Sequence, residues 1–532
     1  FSVDILKHQS TKATMASHDL ATSMEGFVIG IIGMGDMGKM YAKRLSDAGW
    51  RIVNGKHAHL PLSSLLNDDL SAFGSSIAFS WPDYLSGIRF RGWLSMMKIL
   101  SYLILLCLKS IPHLSKAFLE NIGPTQANGN ILRVNACDRE EKYEGLCEEF
   151  ADRKQIKIFP NGHLVSRASD YIIYNVEAAL IGKVVAEYGP STKHNAIVGG
   201  QTSCKAPEIE AFEKYLPEDV DIVCCHSLHG PHLDPRGQPL VIIKHRASQE
   251  SFNKVEHVLS CLNSKHVHLT AAQHDRITAD TQAVTHAAFL SMGKAWHANA
   301  QFPWEIARYV GGIENVKINL TLRIYSQKWH VYAGLAILNP YAKEQIRQYA
   351  QSVTELYKLM LGGHQEEFAQ RIRKAGAAVF GTRSWDGELL LQDEVLDRFS
   401  LGKKPETPLP NNHLSLLAMV DCWSQLGIVP YDHMICSTPL FRLWIGVTEY
   451  LFRKPALLED VIRIAIEDNT FRSDDLEFTF AARGWSDCVT FGDFESWKDR
   501  FVTTQKFFEP RFADATKVGN EMMKTILENT RK

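Results

Sequence analysis

The chain has 532 residues, 45% of them hydrophobic, and a formal net charge of −2 at pH 7. This length and hydrophobic content are enough to bury large cores and suggest about two to four domains. The near-neutral balance excludes a chain-wide field for nucleic acid or an anionic membrane, so we expect a small molecule or a second copy of the chain as partner. None of the ten cysteines stands in C-x-x-C spacing. A reducing cytoplasm without a metal site fits best.

The first clear motif joins an apolar run to a glycine-rich turn and then to a helical pattern. Residues 1–26 are polar and are interpreted as a tail, after which Val28–Ile32 predicts a strand. The turn that follows reads G-x-G-x-x-G: one glycine permits the turn, one lets the backbone approach a pyrophosphate, and one packs helix on strand. The helix N-terminus would then face an anion. We therefore predict that a dinucleotide binds at Gly33, Gly35, Asp36, Met37 and Gly38.

The second strand of this dinucleotide fold is interrupted. Arg51–Asn54 begins such a strand, but an acidic residue at a strand end appears only at Asp138, beyond a segment of different character at 55–135. In an uninterrupted fold that residue follows the glycines by about 20 positions and contacts the ribose. Removing residues 55–135 restores this spacing. Either Arg51–Asn54 or the similar stretch Leu132–Asn135 completes the strand.

The interrupting segment contains an apolar run, Trp93–Leu108, that resembles a membrane span. The run is shorter than the ~20 residues that a bilayer core requires, and Lys98 interrupts it. A span at this point would also separate the two halves of one nucleotide site. We therefore favour an extraneous insertion, such as translated non-coding sequence, over a surface subdomain or a membrane anchor. No membrane association is expected.

After the insertion, strands alternate with short helices as far as about residue 270, which predicts a Rossmann-like, doubly wound and mostly parallel sheet. The predicted strands are Ile156–Phe159, Asp170–Val176, Asn195–Val198, Val220–Cys225, Pro239–Lys244 and His266–Thr270. The predicted helices are Glu140–Phe150, Ile181–Glu187 and Pro207–Tyr215.

From Ala271 onward helical periodicity replaces the strand pattern, and no internal repeat is evident. Examples are Asp280–Ala295, Glu344–Leu361 and His413–Leu426. The predicted fold class is α/β followed by all-α. It divides into the tail 1–26, a dinucleotide-binding domain 27–270 that carries the insertion 55–135, and a helical domain 271–532 for substrate binding and dimerisation.

Four polar residues stand where chemistry is expected, and each has a purely structural alternative. Ser203 follows a glycine turn that opens a helix, where an N-cap explains it equally well. His226 lies at the carboxyl end of a predicted strand, where open α/β sheets bind ligands, although surface histidines are common. His286 stands in an apolar helix, as a ligand contact or as a buried, hydrogen-bonded imidazole. Arg323 lies among apolar neighbours and is expected to be paired.

At these residues the chain resembles the prephenate dehydrogenases, and in particular the fungal NADP-dependent enzymes of tyrosine biosynthesis. The stretches that carry the resemblance are GIIGMGDMG, CDREEKY, IVGGQTSCK, HSLHGP, HDRITADTQAVTHAAFLSMG and LRIYSQKWHVYAGLAI. The resemblance implies that His226 is the catalytic histidine, that Ser203 and His286 line the substrate pocket, and that Arg323 grips a substrate carboxylate. The usual H-P-M-F-G-P of the family reads H-S-L-H-G-P here, so the middle of that motif departs.

The resemblance implies oxidation of prephenate, with loss of CO2, to 4-hydroxyphenylpyruvate. At the ribose end Asp138 favours a free 2′-hydroxyl and Arg139 favours a 2′-phosphate, and the resemblance decides for NADP. Two alternatives stay open: an arogenate dehydrogenase, and a nucleotide-binding protein whose catalysis the insertion has disabled. We expect a cytoplasmic homodimer that binds prephenate, not nucleic acid.

Overall fold

The computed structural model of the chain describes residues 24, 26–48, 133–231, 233–381, 401, 409–436 and 438–529. Two compact units are distinguished: Phe1–Ala48 with Leu132–Lys532, and Gly49–Ile131. The second unit lies outside the described residues, and with it Arg51–Asn54 and the apolar run Trp93–Leu108. The interpretation of the insertion and the division into domains therefore stay predictions.

Eight strands form one sheet in the order β3-β2-β1-β4-β5-β6-β7-β8. They are β1 (Val28–Ile32), β2 (Arg133–Cys137), β3 (Ile156–Ile158), β4 (Tyr171–Tyr174), β5 (Ile197–Gly200), β6 (Asp221–Ser227), β7 (Pro239–Arg246) and β8 (Lys265–His268). Only β6 and β7 pair antiparallel within this sheet. The central strands are buried along their length, as expected when helices cover both faces. The predicted Rossmann-like, doubly wound sheet is confirmed.

The helices of this half begin with the one after the glycine turn. They are α1 (Asp36–Asp47), α2 (Tyr143–Glu149), α3 (Gly162–Ala168), α4 (Ile181–Tyr188), α5 (Ala206–Tyr215) and α6 (Gln249–Leu259). Short 3₁₀ turns at Glu140–Lys142, Gly189–Ser191 and Ser260–Leu262 adjoin α2, α4 and α6.

The structure corrects the boundary assigned to the insertion. Strand β2 begins at Arg133 and pairs in parallel with β1, with Val134 opposite Ile29 and Ala136 opposite Ile31. Positions 133–135 therefore belong to the sheet and not to the inserted segment. The sequence could not decide this because residues 51–54 and 132–135 both end in Val-Asn, and either fits a buried strand beside β1.

Past β8 the described elements are helical. They are α7 (Ala271–Thr278), α8 (Val284–Ala298), α9 (Gly312–Tyr325), α10 (Trp329–Leu338), α11 (Ala342–Gly362), α12 (Gln365–Phe380), α13 (Leu414–Leu426), α14 (Pro439–Phe452), α15 (Pro455–Glu467), α16 (Arg472–Phe491), α17 (Phe494–Phe508) and α18 (Phe512–Asn529). One turn of π-helix, Ala279–Ala283, joins α7 to α8. No helix in the described ranges combines the length and the apolar character needed to cross a bilayer.

The helical region contains two copies of a five-helix unit, α8 to α12 and α13 to α17. Counterpart residues at the start of the copies stand 127 positions apart, as positions 296 and 423 do. Ala300 and Gly427, which follow α8 and α13 at that same spacing, both have left-handed φ, 50° and 65°. Residues identical in this register include His286 and His413, Leu290 and Leu417, Met292 and Met419, Trp296 and Trp423, and Pro303 and Pro430.

The two copies also pack reciprocally. Helix α8 packs on α16, while its counterpart α13 packs on α11. Helix α10 contacts α17 as α15 contacts α12, and the counterparts α11 and α16 pack on each other. Such an exchange of partners is what an approximate twofold relation between two copies produces. The prediction of no internal repeat was wrong, because the identities are few and widely spaced.

Candidate active site

The glycine turn has the geometry that a dinucleotide phosphate requires. Gly33 has φ of +101°, and a Cβ on it would lie 2.4 Å from the carbonyl oxygen of Asn175. A Cβ on Gly38 would lie 2.1 Å from the carbonyl oxygen of Gly33, so helix α1 can approach the turn this closely only without a side chain there. Gly35 is exposed, and a Cβ on it would meet open space. The turn therefore offers free backbone in front of the α1 N-terminus, which fits a pyrophosphate.

The ribose end of the predicted cofactor site is formed at the end of β2. The Asp138 carboxylate is largely buried and accepts a hydrogen bond from the Met34 backbone N–H, at 2.8 Å. Lys142 forms an ion pair with the same carboxylate at 3.1 Å. Arg139 extends outward, with 71% of its side chain exposed, and contacts Glu141. Asp138 thus holds the turn in place, while two cations stand beside it for a phosphate.

Helix α10 of the helical half lies against this edge of the sheet. Lys328, which precedes α10, pairs with Asp36 at 3.0 Å, and Asp36 is the first residue of α1. His330 lies 3.5 Å from Glu177, in the loop after β4. The two halves therefore meet at the carboxyl ends of the strands, where such sheets bind ligands.

His226 lies near the carboxyl end of β6 and is 8% exposed. Its Nδ1 is 2.8 Å from Nε2 of His274, and the second ring nitrogen, Nε2, makes no hydrogen bond to any described residue. Burial lowers the pKa of His226 well below its ordinary value, and the neighbouring His274 and Lys205 lower it further. The imidazole is therefore neutral at pH 7, with one nitrogen available to a ligand.

His274 and Asp275 stand on α7, directly behind His226. Nδ1 of His274 is 2.8 Å from Oδ1 of Asp275, and both side chains are buried. The Asp275 carboxylate also accepts the backbone N–H groups of Lys205 and Ala206, both at 2.7 Å. It therefore caps α5 from another helix, and the N-cap residue is Lys205, not Ser203.

A buried ion pair lies on the other side of His226. Nζ of Lys205 contacts Oε1 of Glu208 at 2.8 Å, and both side chains are fully buried. The ammonium also donates to the carbonyl oxygens of Gly200 and Cys225. Burial alone would lower the pKa of Lys205, but the Glu208 carboxylate outweighs it and the pKa is raised. The strand-end cluster consists of His226, His274, Asp275, Lys205 and Glu208.

The remaining predicted site residues lie apart from this cluster. His286 on α8 is buried, its Nδ1 has no hydrogen-bond partner in the described chain, and burial lowers its pKa to about 3. Its ring meets Tyr332 of α10 edge to face, with centroids 4.8 Å apart. Arg323 is close enough for its charge to affect the pKa of Tyr332, and it donates to Asn520 at 2.8 Å. Ser203 is half-buried in the turn after β5.

A second buried group of charges lies within the helical half. Oε1 of Glu314 contacts Lys317 at 2.6 Å and His413 at 3.0 Å, and Arg308 lies 4.0 Å from Asp475. In the described chain Nε and Nη1 of Arg308 and Oε2 of Glu314 make no hydrogen bond. These residues adjoin a cavity of about 460 Å³, counting its open mouth. The helical cluster consists of Arg308, Glu314, Lys317, His413 and Asp475.

The chain is 60% identical to a probable prephenate dehydrogenase [NADP(+)] of Schizosaccharomyces pombe over 404 residues, which cover 75% of this chain and 93% of the relative. The chain belongs to the prephenate dehydrogenase family. A second member, the prephenate dehydrogenase [NADP(+)] of Saccharomyces cerevisiae, is 49% identical over 512 residues, 94% of either chain.

Two further similarities accompany membership of the prephenate dehydrogenase family. Residues 283–528, in the helical half, match a family model of the 6-phosphogluconate dehydrogenase C-terminal domain. A solved prephenate dehydrogenase from A. aeolicus, in complex with hydroxyphenyl propionate and NAD+, aligns with 65% of this chain and 94% of its own at 12% identity and a TM-score of 0.42.

Within this prephenate dehydrogenase fold, sequence reasoning missed the side chains that support His226. Lys205 and Glu208 sit three positions apart after the glycine turn, a helical spacing that could have indicated a pair. His274 and Asp275 carry no such signal, since they meet His226 and Lys205 only through the fold. Tyr332, the residue that contacts His286, was missed for the same reason.

Proposed function

We propose that this chain oxidises prephenate to 4-hydroxyphenylpyruvate and CO2, with NADP as hydride acceptor. The observation that carries the proposal is the neutral imidazole of His226, held by β6 at the same sheet edge as the glycine turn, with Nε2 available to a ligand. Its relatives in S. pombe and S. cerevisiae bear names with this activity and cofactor.

The residues of the turn fit the cofactor part by part. Gly33, Gly35, Asp36, Met37 and Gly38 would hold the pyrophosphate. Arg139 and Lys142, beside Asp138, would hold the 2′-phosphate, because guanidinium and ammonium groups pair strongly with phosphate. When bound, NADP+ supplies an acceptor for the hydride on C4 of prephenate.

His226 would act as the proton acceptor. Its Nε2 takes the proton of the C4 hydroxyl as the C4 hydride departs, leaving a ring carbonyl. Loss of CO2 from the ring then sends an electron pair through the ring to that oxygen, which recovers the proton from His226. The ring becomes aromatic, and His226 ends the cycle neutral, as it began.

The helical half would bind the two carboxylates of prephenate. Arg323 would hold one of them, because a planar guanidinium fork pairs with a carboxylate better than an ammonium does. His286 would line the pocket beside Tyr332, and Ser203 would line it from the turn after β5. Burial keeps His286 neutral, so it would contact the substrate as a hydrogen-bonding group, not as a cation.

We also propose that the protein is a homodimer of the cytoplasm. On the exposed side of α16, Leu476, Phe480 and Phe491 are 37%, 59% and 80% exposed, and large apolar side chains on one helix favour burial against a second copy. The nine described cysteines are free, which suits a reducing compartment. Sedimentation of the protein and of Phe480→Lys would test the dimer.

The proposed activity is tested with His226→Asn. Asparagine retains polarity and similar size but cannot take a proton at neutral pH, so kcat for prephenate should fall by about 10²–10⁴-fold with NADP affinity unchanged. Wild-type turnover of prephenate should also exceed turnover of arogenate in parallel assays. A variant with wild-type kcat would remove His226 from the mechanism, and His229 and His286 would become the candidates.

A further inference from the structure

A line of hydrogen bonds runs from the free nitrogen of His226 to a carboxylate. His226 Nδ1 and His274 Nε2 are 2.8 Å apart, as are His274 Nδ1 and Asp275 Oδ1. All three side chains are at least nine-tenths buried. Asp275 is in turn fixed by two backbone N–H groups at the start of α5. A fixed carboxylate thus ends a chain of two imidazoles.

The direction of each hydrogen bond follows from that carboxylate. Ionised Asp275 can only accept, so Nδ1 of His274 carries the proton and donates it. The Nε2 of a neutral His274 is then an acceptor, which requires Nδ1 of His226 to be the donor. The remaining nitrogen of His226, Nε2, must therefore carry a lone pair. This is the tautomer that a proton acceptor needs.

We propose that His274 and Asp275 are positioning residues that fix the tautomer of His226 and stabilise its protonated form during the reaction. The proposal rests on the proposed function of His226. When His226 takes the substrate proton, its Nδ1–H strengthens its bond to His274, and the negative charge of Asp275 lies at the far end of the line. The proton returns from Nε2 to the product, so no net transfer along the line is required.

The surroundings of His226 make this support necessary. Burial and the cationic Lys205 both disfavour an imidazolium, and His229 lies nearby as a further titratable group. Burial also lowers the pKa of His274, while Asp275 opposes that shift. Lys205 is itself balanced by Glu208, so Asp275 is the negative charge joined to His226 by hydrogen bonds.

The test compares His274→Leu with His274→Gln, because leucine abolishes the acceptor for His226 and glutamine can restore one. For His274→Leu we expect kcat to fall about 10- to 100-fold, with KM for prephenate and the Kd of NADP unchanged. A less stabilised imidazolium has a lower pKa, so the acid limb of the kcat profile should move to lower pH. His274→Gln should recover part of the loss. Circular dichroism and Tm establish that each variant is folded.

The matched control is His194→Leu. His194 also pairs with an aspartate, Asp219, at 2.9 Å, but on the surface and at the amino end of β5. Its kcat and pH profile should equal those of the wild type. The double variant His226→Asn/His274→Leu should be no slower than His226→Asn alone, because a residue that acts through His226 has nothing left to position.

Three results separate the possible failures. Wild-type kcat and pH profile in His274→Leu would overturn the positioning role, and so would losses that multiply in the double variant. Equal loss in His274→Leu and His274→Gln without any shift of the acid limb would assign His274 a packing role and also overturn it. Wild-type kcat in His226→Asn would instead overturn the proposed function.

Discussion

The two halves of the molecule bury charge in different ways. In the strand-end cluster, the Lys205 ammonium and the Asp275 carboxylate are surrounded by hydrogen-bond partners, and one imidazole nitrogen faces the sheet edge unbonded. In the helical cluster, Arg308 and Glu314 keep buried polar atoms without partners. Full satisfaction around a single free nitrogen is what directs chemistry to one atom. Charges that are balanced but incompletely bonded act on stability instead.

Lys205→Met tests the satisfied side of this comparison and should have the largest effect. It would leave the Glu208 carboxylate buried without its counter-ion, and the free energy of unfolding should fall by about 3–5 kcal/mol in urea titrations. The control is Lys39→Met, whose partner Glu149 is partly exposed, with an expected loss of about 0–1 kcal/mol. Similar losses in both variants would show that burial does not distinguish the pairs.

Glu314→Gln tests the helical cluster. Burial alone would raise the pKa of Glu314, but Lys317 and His413 outweigh it and lower the pKa to about 2. A lowered carboxyl pKa adds stability that is present above pH ~4.5 and is lost as pH falls towards 2. The variant should therefore lose about 3 kcal/mol at pH 7 and less at pH 3. We expect kcat to change little, since these residues lie away from His226.

Asp475→Asn sharpens the same experiment, because its pH dependence has the opposite sign. Burial raises the pKa of Asp475 to about 6, against the charge of Arg308. The wild type therefore loses stability as pH rises through about 6, and asparagine cannot show that loss. Relative to the wild type, the variant should be more stable at pH 8 than at pH 4. Parallel pH slopes in both variants would mean that Glu314 and Asp475 do not titrate as two distinct groups.

Arg139→Ala tests an exposed charge of the sheet half. We expect about tenfold weaker binding of NADP with little change for NAD, because only NADP carries the 2′-phosphate. Fluorescence titration with NADPH and NADH measures both. Lys142→Ala should act in the same direction. Equal losses for the two cofactors would refute the assignment of Arg139.

Deletion of residues 55–135 should have the smallest effect. The joined strand would read Arg51-Ile52-Val53-Asn54-Ala136-Cys137, which preserves the Val-Asn that pairs with β1. We expect Tm and kcat close to those of the full chain. A second deletion, residues 51–131, would retain the native Arg133–Cys137 and provides the control. If both variants unfold while the full chain is active, the segment is a genuine subdomain.

The sheet was predictable because local pattern determines it. Apolar runs between turns marked the strands, and the three glycines marked the phosphate turn before any contact was known. His226 was found through its place at a strand end. Asp275 and Lys205 were not, because they lie 70 positions apart and only folding joins them.

The repeat escaped sequence reasoning for a related reason. Matching positions such as Trp296 and Trp423 conserve burial, which many apolar residues satisfy, so little identity survives. The second copy also has Tyr450 where the first has Arg323. Copies that differ in this way share a shape but not a chemical role, and shape leaves a weaker trace in sequence.

The π-helical turn at Ala279–Ala283 sets the angle between two parts of the site. A residue advances a helix by about 100°, and a π turn holds one residue more than an α turn. Removing one of its five residues would leave an unbroken helix but turn His286 by about a quarter of a circle relative to His274 and Asp275. The single extra residue thus acts as a rotational offset, which aims two imidazoles of one long rod in independent directions.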